Sequence, residues 1–308
     1  MVILPTINPS IEADRITTFI RDTFAKAQKT TAIVAVSGGL DSATSLCLTA
    51  KALGPDHTLA LHLPARSTPP DSTQLASLAM DSAAIPQKNR HTIPITALIQ
   101  KSWRIINIYS KNNLDTDDKG PNHTEISSLS TPKSDRSRTP PSRQGVEDAF
   151  LETKTAKTNI LRLANLAARS RMLVLFDQAK LRDGLVVGTE NYSEYLLGYF
   201  TRFGDEASDL EPLHHLYKTQ VYALAKHLSI PEKIIDRTPS ADLWSGQTDA
   251  NELGFTYVQA DPILYLHTQG KTAAAIISSG LPELLIKAVL NQLEITAFKH
   301  QVPYIIHL

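Results

Sequence analysis

Thr31-Ala-Ile-Val-Ala-Val36 runs without a break into Ser37-Gly-Gly-Leu-Asp-Ser42, and Ala43 to Leu53 follows as a helical stretch closed by Gly54-Pro55. The first six residues form a β-branched and apolar run with no polar alternation, the pattern of a parallel strand covered on both faces. A tight turn and a helix after such a strand make the opening unit of an α/β fold. Outward from it the theme repeats. Thr58 to Leu63 reads as a second strand, Asp71 to Ala84 as a helix closed before Pro86, and His91 to Ile95 as a third strand stopped by Pro94. Upstream, Asn8-Pro9 caps a helix whose apolar residues Ile11, Ile16, Phe19, Ile20 and Phe24 recur at roughly helical spacing. Downstream, Ile160 to Leu181 is a long helical stretch and Gly184 to Gly188 a fourth buried strand. Beyond residue 210 the pattern is helical over Lys218–Leu228, Pro231–Asp236, Thr256–His267 and Leu281–Gln292. The expected fold class is therefore α/β, a doubly wound parallel sheet with flanking helices, with ligands at the carboxyl ends of strands. Ser37 and Thr189 both fall there.

The 308 residues carry 31 Lys+Arg against 31 Asp+Glu, so the formal charge of zero argues against a protein that neutralises many nucleic-acid phosphates. No apolar run is long enough to span a bilayer and no basic-apolar leader opens the chain, which predicts a cytoplasmic protein. The single cysteine, Cys47, excludes an internal disulfide and a cysteine-based zinc cluster, and its helical position suggests packing. The ten histidines form no spaced metal pair, and His214-His215 reads as polar loop. From about 110 to 147 Ser, Thr, Pro, Asn, Asp, Lys and Arg dominate, which predicts a mobile insertion in a single 1–308 domain, or alternatively a lid that orders on ligand binding.

The loop carries the chemistry. Between a buried strand and a helix N-terminus, unpaired amides and the helix dipole favour an anion. Gly38 and Gly39 allow close backbone approach to phosphate oxygens, and Ser37 and Ser42 add hydroxyls. Asp41 in an anion cradle requires a divalent cation between carboxylate and phosphate, which points to magnesium. A tight turn with helix-capping serines is the alternative. Gly270-Lys-Thr272 lacks the first glycine of a Walker loop and reads as a helix-flanking turn.

The hexapeptide Ser37–Ser42 resembles the pyrophosphate-binding loop of the ATP pyrophosphatase superfamily. Arg169-Ser-Arg-Met172, Gly188-Thr-Glu-Asn-Tyr-Ser-Glu194, Gly198-Tyr-Phe-Thr-Arg-Phe-Gly-Asp205, Leu216-Tyr-Lys-Thr-Gln220, Pro239-Ser-Ala-Asp-Leu-Trp244 and Gly246-Gln-Thr-Asp249 resemble, in order, the blocks of the NAD synthetase family. The resemblance implies an adenine nucleotide alpha hydrolase-like fold and a homodimer. It also implies amidation of deamido-NAD by ammonia through an adenylated intermediate, giving NAD, AMP and pyrophosphate, with ATP as co-substrate and Mg2+ as metal.

Carried over by resemblance, Ser37, Gly38, Gly39, Asp41, Ser42, Thr189, Lys218 and Ser240 bind ATP, and Asp41 and Glu194 hold the metal. Alone, Lys218 would read as a surface lysine. Arg169, Arg202, Asp209 and Lys299 match positions that contact deamido-NAD. The family commonly has lysine at Arg202 and histidine at Phe298, and these departures leave open a non-catalytic nucleotide-binding or regulatory module on the same fold. Asp205 is the candidate for binding ammonium and easing its deprotonation, although an Asp after Gly also suits a turn. Only about 30 residues precede the first strand, too few for a glutamine-hydrolysing domain, so free ammonia or a separate glutaminase subunit is the expected nitrogen source.

Overall fold

Residues 4–111 and 143–301 except 245, together with 303 and 306, are described by a computed structural model. Four strands, β1 (Ala32–Ala35), β2 (Thr58–His62), β3 (Arg90–Thr92) and β4 (Leu185–Val187), pair in the order β3-β2-β1-β4. All pairings are parallel, with Ile33 opposite Leu59 on one side and Val186 on the other. The chain leaves β1 toward β2 and returns on its other edge as β4, so a crevice opens at the carboxyl ends of β1 and β4, where such sheets bind ligands.

Both faces are covered, as the unbroken apolar strands predict. Ala32, Val34, Ala60 and Val187 pack in one cluster with Ile16, Ile20 and Phe24 of α1 (Pro9–Ala27) and with Ala43 and Leu46 of α2 (Leu40–Leu53). The alternate residues Ile33, Leu59, Leu61 and Val186 face Leu175 and Ala179 of a long helix, Arg143–Leu181, which is α5. Burying each Val, Leu, Ile or Phe side chain here contributes about 1.5–3 kcal/mol. Helix α1 starts where the sequence predicts, with the Asn8 Oδ1 accepting from Ser10 N and Ile11 N at 3.1 and 3.3 Å. Of its apolar residues, Ile11 and Phe19 point outward, because Ile16, Ile20 and Phe24 already fill the four-residue spacing of the buried face.

Helix α3 (Ser72–Ser82) follows β2, and α4 (Thr96–Lys111) follows β3. The edge strand β3 ends before Pro94, as expected for a residue without an amide donor. Helix α4 has no counterpart in the sequence reading. Of the expected 110–147 insertion, residues 110–111 belong to α4 and 143–147 to α5. The rest of that expected insertion lies outside the described residues. After β4 come α6 (Tyr192–Leu196), α7 (Lys218–His227), α8 (Glu232–Ile235), α9 (Asp249–Leu253), α10 (Tyr257–Thr268), α11 (Ala273–Ile277) and α12 (Glu283–Thr296). Their own cluster, with Leu197, Ile263, Leu264, Ile286 and Val289, stands beside the sheet. Thr272 caps α11 through its hydroxyl, so Gly270–Thr272 is the turn between two helices. Cys47 is half-buried beside Ser82, and burial raises its thiol pKa, in keeping with a packing role. No helix among the described residues is long and apolar enough to cross a membrane.

Candidate active site

The Ser37–Ser42 loop sits at the carboxyl end of β1 and feeds directly into α2, whose N-cap is Gly39 with no side-chain cap. The serine hydroxyls serve the loop itself. The Ser37 and Ser42 Oγ atoms lie 3.1 Å apart, Gly39 N donates to Ser37 Oγ at 3.1 Å, and Ser42 Oγ donates to Gly39 O at 3.0 Å. The amides of the first turn of α2 are thus left for an anion rather than absorbed by a cap. Gly38 adopts φ +85°, and a Cβ there would press into Ser72 O, Ala76 N and Leu75 of α3. Only glycine lets that helix lie against the loop.

Asp41, in the first turn of α2, and Glu194, in α6, converge on one cation. Lys218 Nζ donates to Asp41 Oδ2 at 2.5 Å and to Glu194 Oε1 at 3.0 Å. The Lys218 side chain is only 4% exposed, so this is a buried ion triad and not a surface lysine. Burial by itself would depress the Lys218 pKa, but Asp41 and Glu194 overcome it and hold the ammonium charged. Burial pushes the Glu194 carboxyl up, opposed by Lys218 and assisted by Asp41 and Asp249.

Three residues that the sequence reading passed over build this triad. Asn191 donates from Nδ2 to Asp41 Oδ1 at 3.0 Å, while its Oδ1 accepts from Glu194 N at 3.1 Å in a capping box. The Asn-x-x-Glu spacing was the readable signal. Ser193 Oγ accepts from Lys218 N at 2.9 Å and donates to Asp261 Oδ1 at 2.6 Å, and Asp261 Oδ2 accepts from Thr219 N at 2.9 Å. Asp261 is fully buried and ties α6, α7 and α10 together beneath Lys218.

Ser37, Gly39, Asp41, Ser42, Thr189, Glu194, Asp205, Lys218 and Ser240 line one cleft. Gly38 supports it from behind, against α3. Thr201 N donates to Asp205 Oδ1 at 3.0 Å, so this carboxylate also organises its own turn. Surrounding protein raises the Asp205 pKa, against the hydrogen bonds from Thr201 and the attraction of Arg171. Arg171 is a further cleft residue that the sequence reading did not single out; its Nε donates to Leu63 O at 3.1 Å.

The residues expected on deamido-NAD lie outside the cleft lining. Arg169 Nε donates to Arg202 O at 3.2 Å, and the Arg202 guanidinium lies 5.6 and 5.5 Å from the Phe203 and Phe298 ring centroids. Lys299 Nζ donates to Gly198 O and Phe200 O at 2.6 and 2.7 Å, and burial lowers its pKa. These three gather around the Gly198–Phe203 segment, next to the cleft. Asp209 stands apart, with Oδ2 accepting from Val186 N at 2.7 Å. Glu190, which also lines the cleft, is 7% exposed, and its Oε1 finds no partner among the described residues. Burial, then Glu211, Glu194, Asp205 and Glu206, push its pKa up to about 10, so it is a neutral acid at pH 7.

Asp41 and Glu194 both reach a single cationic nitrogen, so two hard oxygen donors face a common point. Among the described residues no group of three or more His, Cys, Asp or Glu side chains gathers for a metal. This donor set fits magnesium, which commonly takes one or two carboxylates and completes its shell with substrate phosphates and water.

Comparison with known proteins agrees with the geometry. The sequence profile of the family described as NAD synthase matches residues 12–118 and 128–303. An NH(3)-dependent NAD(+) synthetase of Fusobacterium nucleatum subsp. nucleatum is 33% identical over 288 residues, 93% of this chain and 92% of that protein. One from Methanopyrus kandleri is 37% identical over 260 residues, 84% of this chain and 75% of its own length. A solved NMN synthetase from Francisella tularensis superposes with a TM-score of 0.69 at 25% identity, covering 98% of this chain and 100% of that one. The NH3-dependent NAD synthetase from Campylobacter jejuni, at 24% identity and a TM-score of 0.66, shares the fold over 98% of this chain and all of its own. With the phosphate-type loop, the carboxylate pair and the ordered blocks all falling inside the matched residues, the chain belongs to the NAD synthase family.

Proposed function

We propose that the protein amidates deamido-NAD with ammonia at the expense of ATP, releasing NAD, AMP and pyrophosphate. The observation that carries this reading is the convergence of the uncapped Ser37–Ser42 loop with Asp41, Glu194 and Lys218 at the ends of β1 and β4. A carboxylate resists amines, because its charge repels a nucleophile and its oxygens leave poorly. Attack of the nicotinate carboxylate on the α-phosphorus of ATP forms an acyl adenylate and expels pyrophosphate, and ammonia then displaces AMP.

In this reading the loop amides and the Lys218 ammonium hold the departing diphosphate in place, which lowers the barrier by positioning and charge stabilisation. Thr189 and Ser240, which line the same cleft, fix the nucleotide. Asp41 and Glu194 would hold magnesium, which supplies charge neutralisation of the phosphates when bound. Asp205 takes the proton that ammonium must lose before its nitrogen can attack, and its raised pKa brings the carboxylate closer in basicity to that task. Arg169, Arg202, Asp209 and Lys299 are assigned to deamido-NAD, with the cationic three able to meet its phosphates. A homodimer is part of the same reading. Ile105, Ile106, Leu161 and Leu173 on α4 and α5 are 57, 43, 52 and 56% exposed, and a second copy would cover them. Light scattering should return twice the 33.8 kDa chain mass.

Incubation with deamido-NAD, ATP, magnesium and ammonium should yield AMP and NAD in equal amounts, with glutamine unable to replace ammonium. AMP without NAD would contradict the reading. Nicotinate mononucleotide offered in place of the dinucleotide should be the poorer acceptor; preference for it would shift the substrate assignment.

A further inference from the structure

The turn that presents Thr189 is held by a side chain outside all the blocks quoted above. Gly188 closes β4, its N donating to Leu210 O at 2.9 Å and its O accepting from the buried Ser45 Oγ of α2 at 2.8 Å. The remaining side of Gly188 is occupied by the Glu211 carboxyl, into which any Cβ at this position would collide. That carboxyl then reaches past Gly188: Glu211 Oε2 accepts from Glu190 N at 3.0 Å, and Oε1 accepts from Ser208 Oγ at 2.7 Å. Thr189 lies between the two residues so gripped, and its side of the turn faces the cleft.

We propose that Glu211 is a positioning residue for the nucleotide, clamping the Gly188–Glu190 turn so that Thr189 is held in its place at the cleft. The clamp needs an acceptor at Glu190 N and a group small and flat enough to lie on Gly188, and a carboxyl meets both requirements. Burial raises the Glu211 pKa to about 8, against the bonds from Ser208 and Glu190 N. Protonation does not break the clamp, since a neutral carboxyl keeps a carbonyl oxygen to accept from Glu190 N. An amide keeps one too, while its NH2 can donate to a Ser208 hydroxyl turned to accept.

The inference rests on the ATP reading of Thr189, and the test separates the two. E211A should raise KM for ATP about tenfold, the cost of one buried hydrogen bond and the loosened turn, while KM for deamido-NAD stays constant. E211Q should restore KM for ATP to within about twofold of wild type. T189V should raise KM for ATP by itself, and T189V/E211A should add nothing further, because Glu211 acts through Thr189. An unchanged KM for ATP in E211A beside a raised one in T189V would overturn the clamp and leave the ATP reading standing. No change in T189V would overturn the reading of Thr189, and the clamp's purpose with it. Should E211A fail to fold, E211D, one methylene too short to reach Glu190 N, must show the same rise in KM for ATP; wild-type behaviour there overturns the proposal.

Discussion

Replacing Asp41 with Asn or Glu194 with Gln should lower kcat by about 100-fold or more while leaving the fold intact. Each change keeps the size of the side chain and one carbonyl oxygen, which can still accept from Asn191, and Lys218 loses its bond to the changed residue but keeps the other carboxylate. What disappears is one of the two negative charges facing the common cation point. A magnesium ion sharing phosphates with a single carboxylate is held more weakly, so the loss should be partly recovered at high magnesium concentration. Steady-state rates across a magnesium titration, with circular dichroism as the check on folding, decide the matter. Wild-type turnover in both variants would refute the assigned metal site.

The second large effect is expected from Lys218→Met. Removing one partner of a buried ion pair strands the charge left behind, at a cost of about 3–5 kcal/mol. Here two carboxylates are stranded, with side chains only 16 and 18% exposed, while the Ser193 bond to the backbone N of residue 218 survives the change. Protonation of Glu194 relieves part of the cost, since burial, Asp41 and Asp249 all favour its neutral form once Lys218 is gone. Denaturant unfolding should therefore show a loss near the lower end of that range. The informative arm adds magnesium without nucleotide. If Asp41 and Glu194 share a cation, magnesium should stabilise Lys218→Met more than wild type, because the ion occupies the point left by the ammonium. Equal shifts in the two proteins would show that the carboxylates do not act together.

How much of this was readable in the chain depended on sequence distance. The buried strands Thr31–Val36 and Gly184–Gly188 were legible because burial on both faces leaves no polar residue in the run. The Ser37–Ser42 loop was legible because strand, glycines and helix are contiguous. Helix α4 was missed although its apolar residues gather on one side of the helix; Ile105 and Ile106 on it are exposed, so that side is not turned wholly to the core. The first turns of α5 were hidden by polar composition, which resembles a linker although the chain there is helical. Within the site, residue types were visible but partnerships were not. Lys218 meets Asp41 across 177 positions, and Asn191 meets Asp41 across 150. No local periodicity encodes such contacts; they exist because β1 and β4 are neighbours in the sheet. The Glu211 carboxyl lying on Gly188 is hidden for the same reason, although the glycine itself was in plain view.

The most direct measurement is a crystal structure with a non-hydrolysable ATP analogue and manganese in place of magnesium. The account predicts an anomalous peak contacted by both Asp41 and Glu194, with the terminal phosphates against the Ser37–Ser42 amides and Lys218 turned onto them. Nucleotide bound at any other place, or manganese touching neither carboxylate, would contradict it.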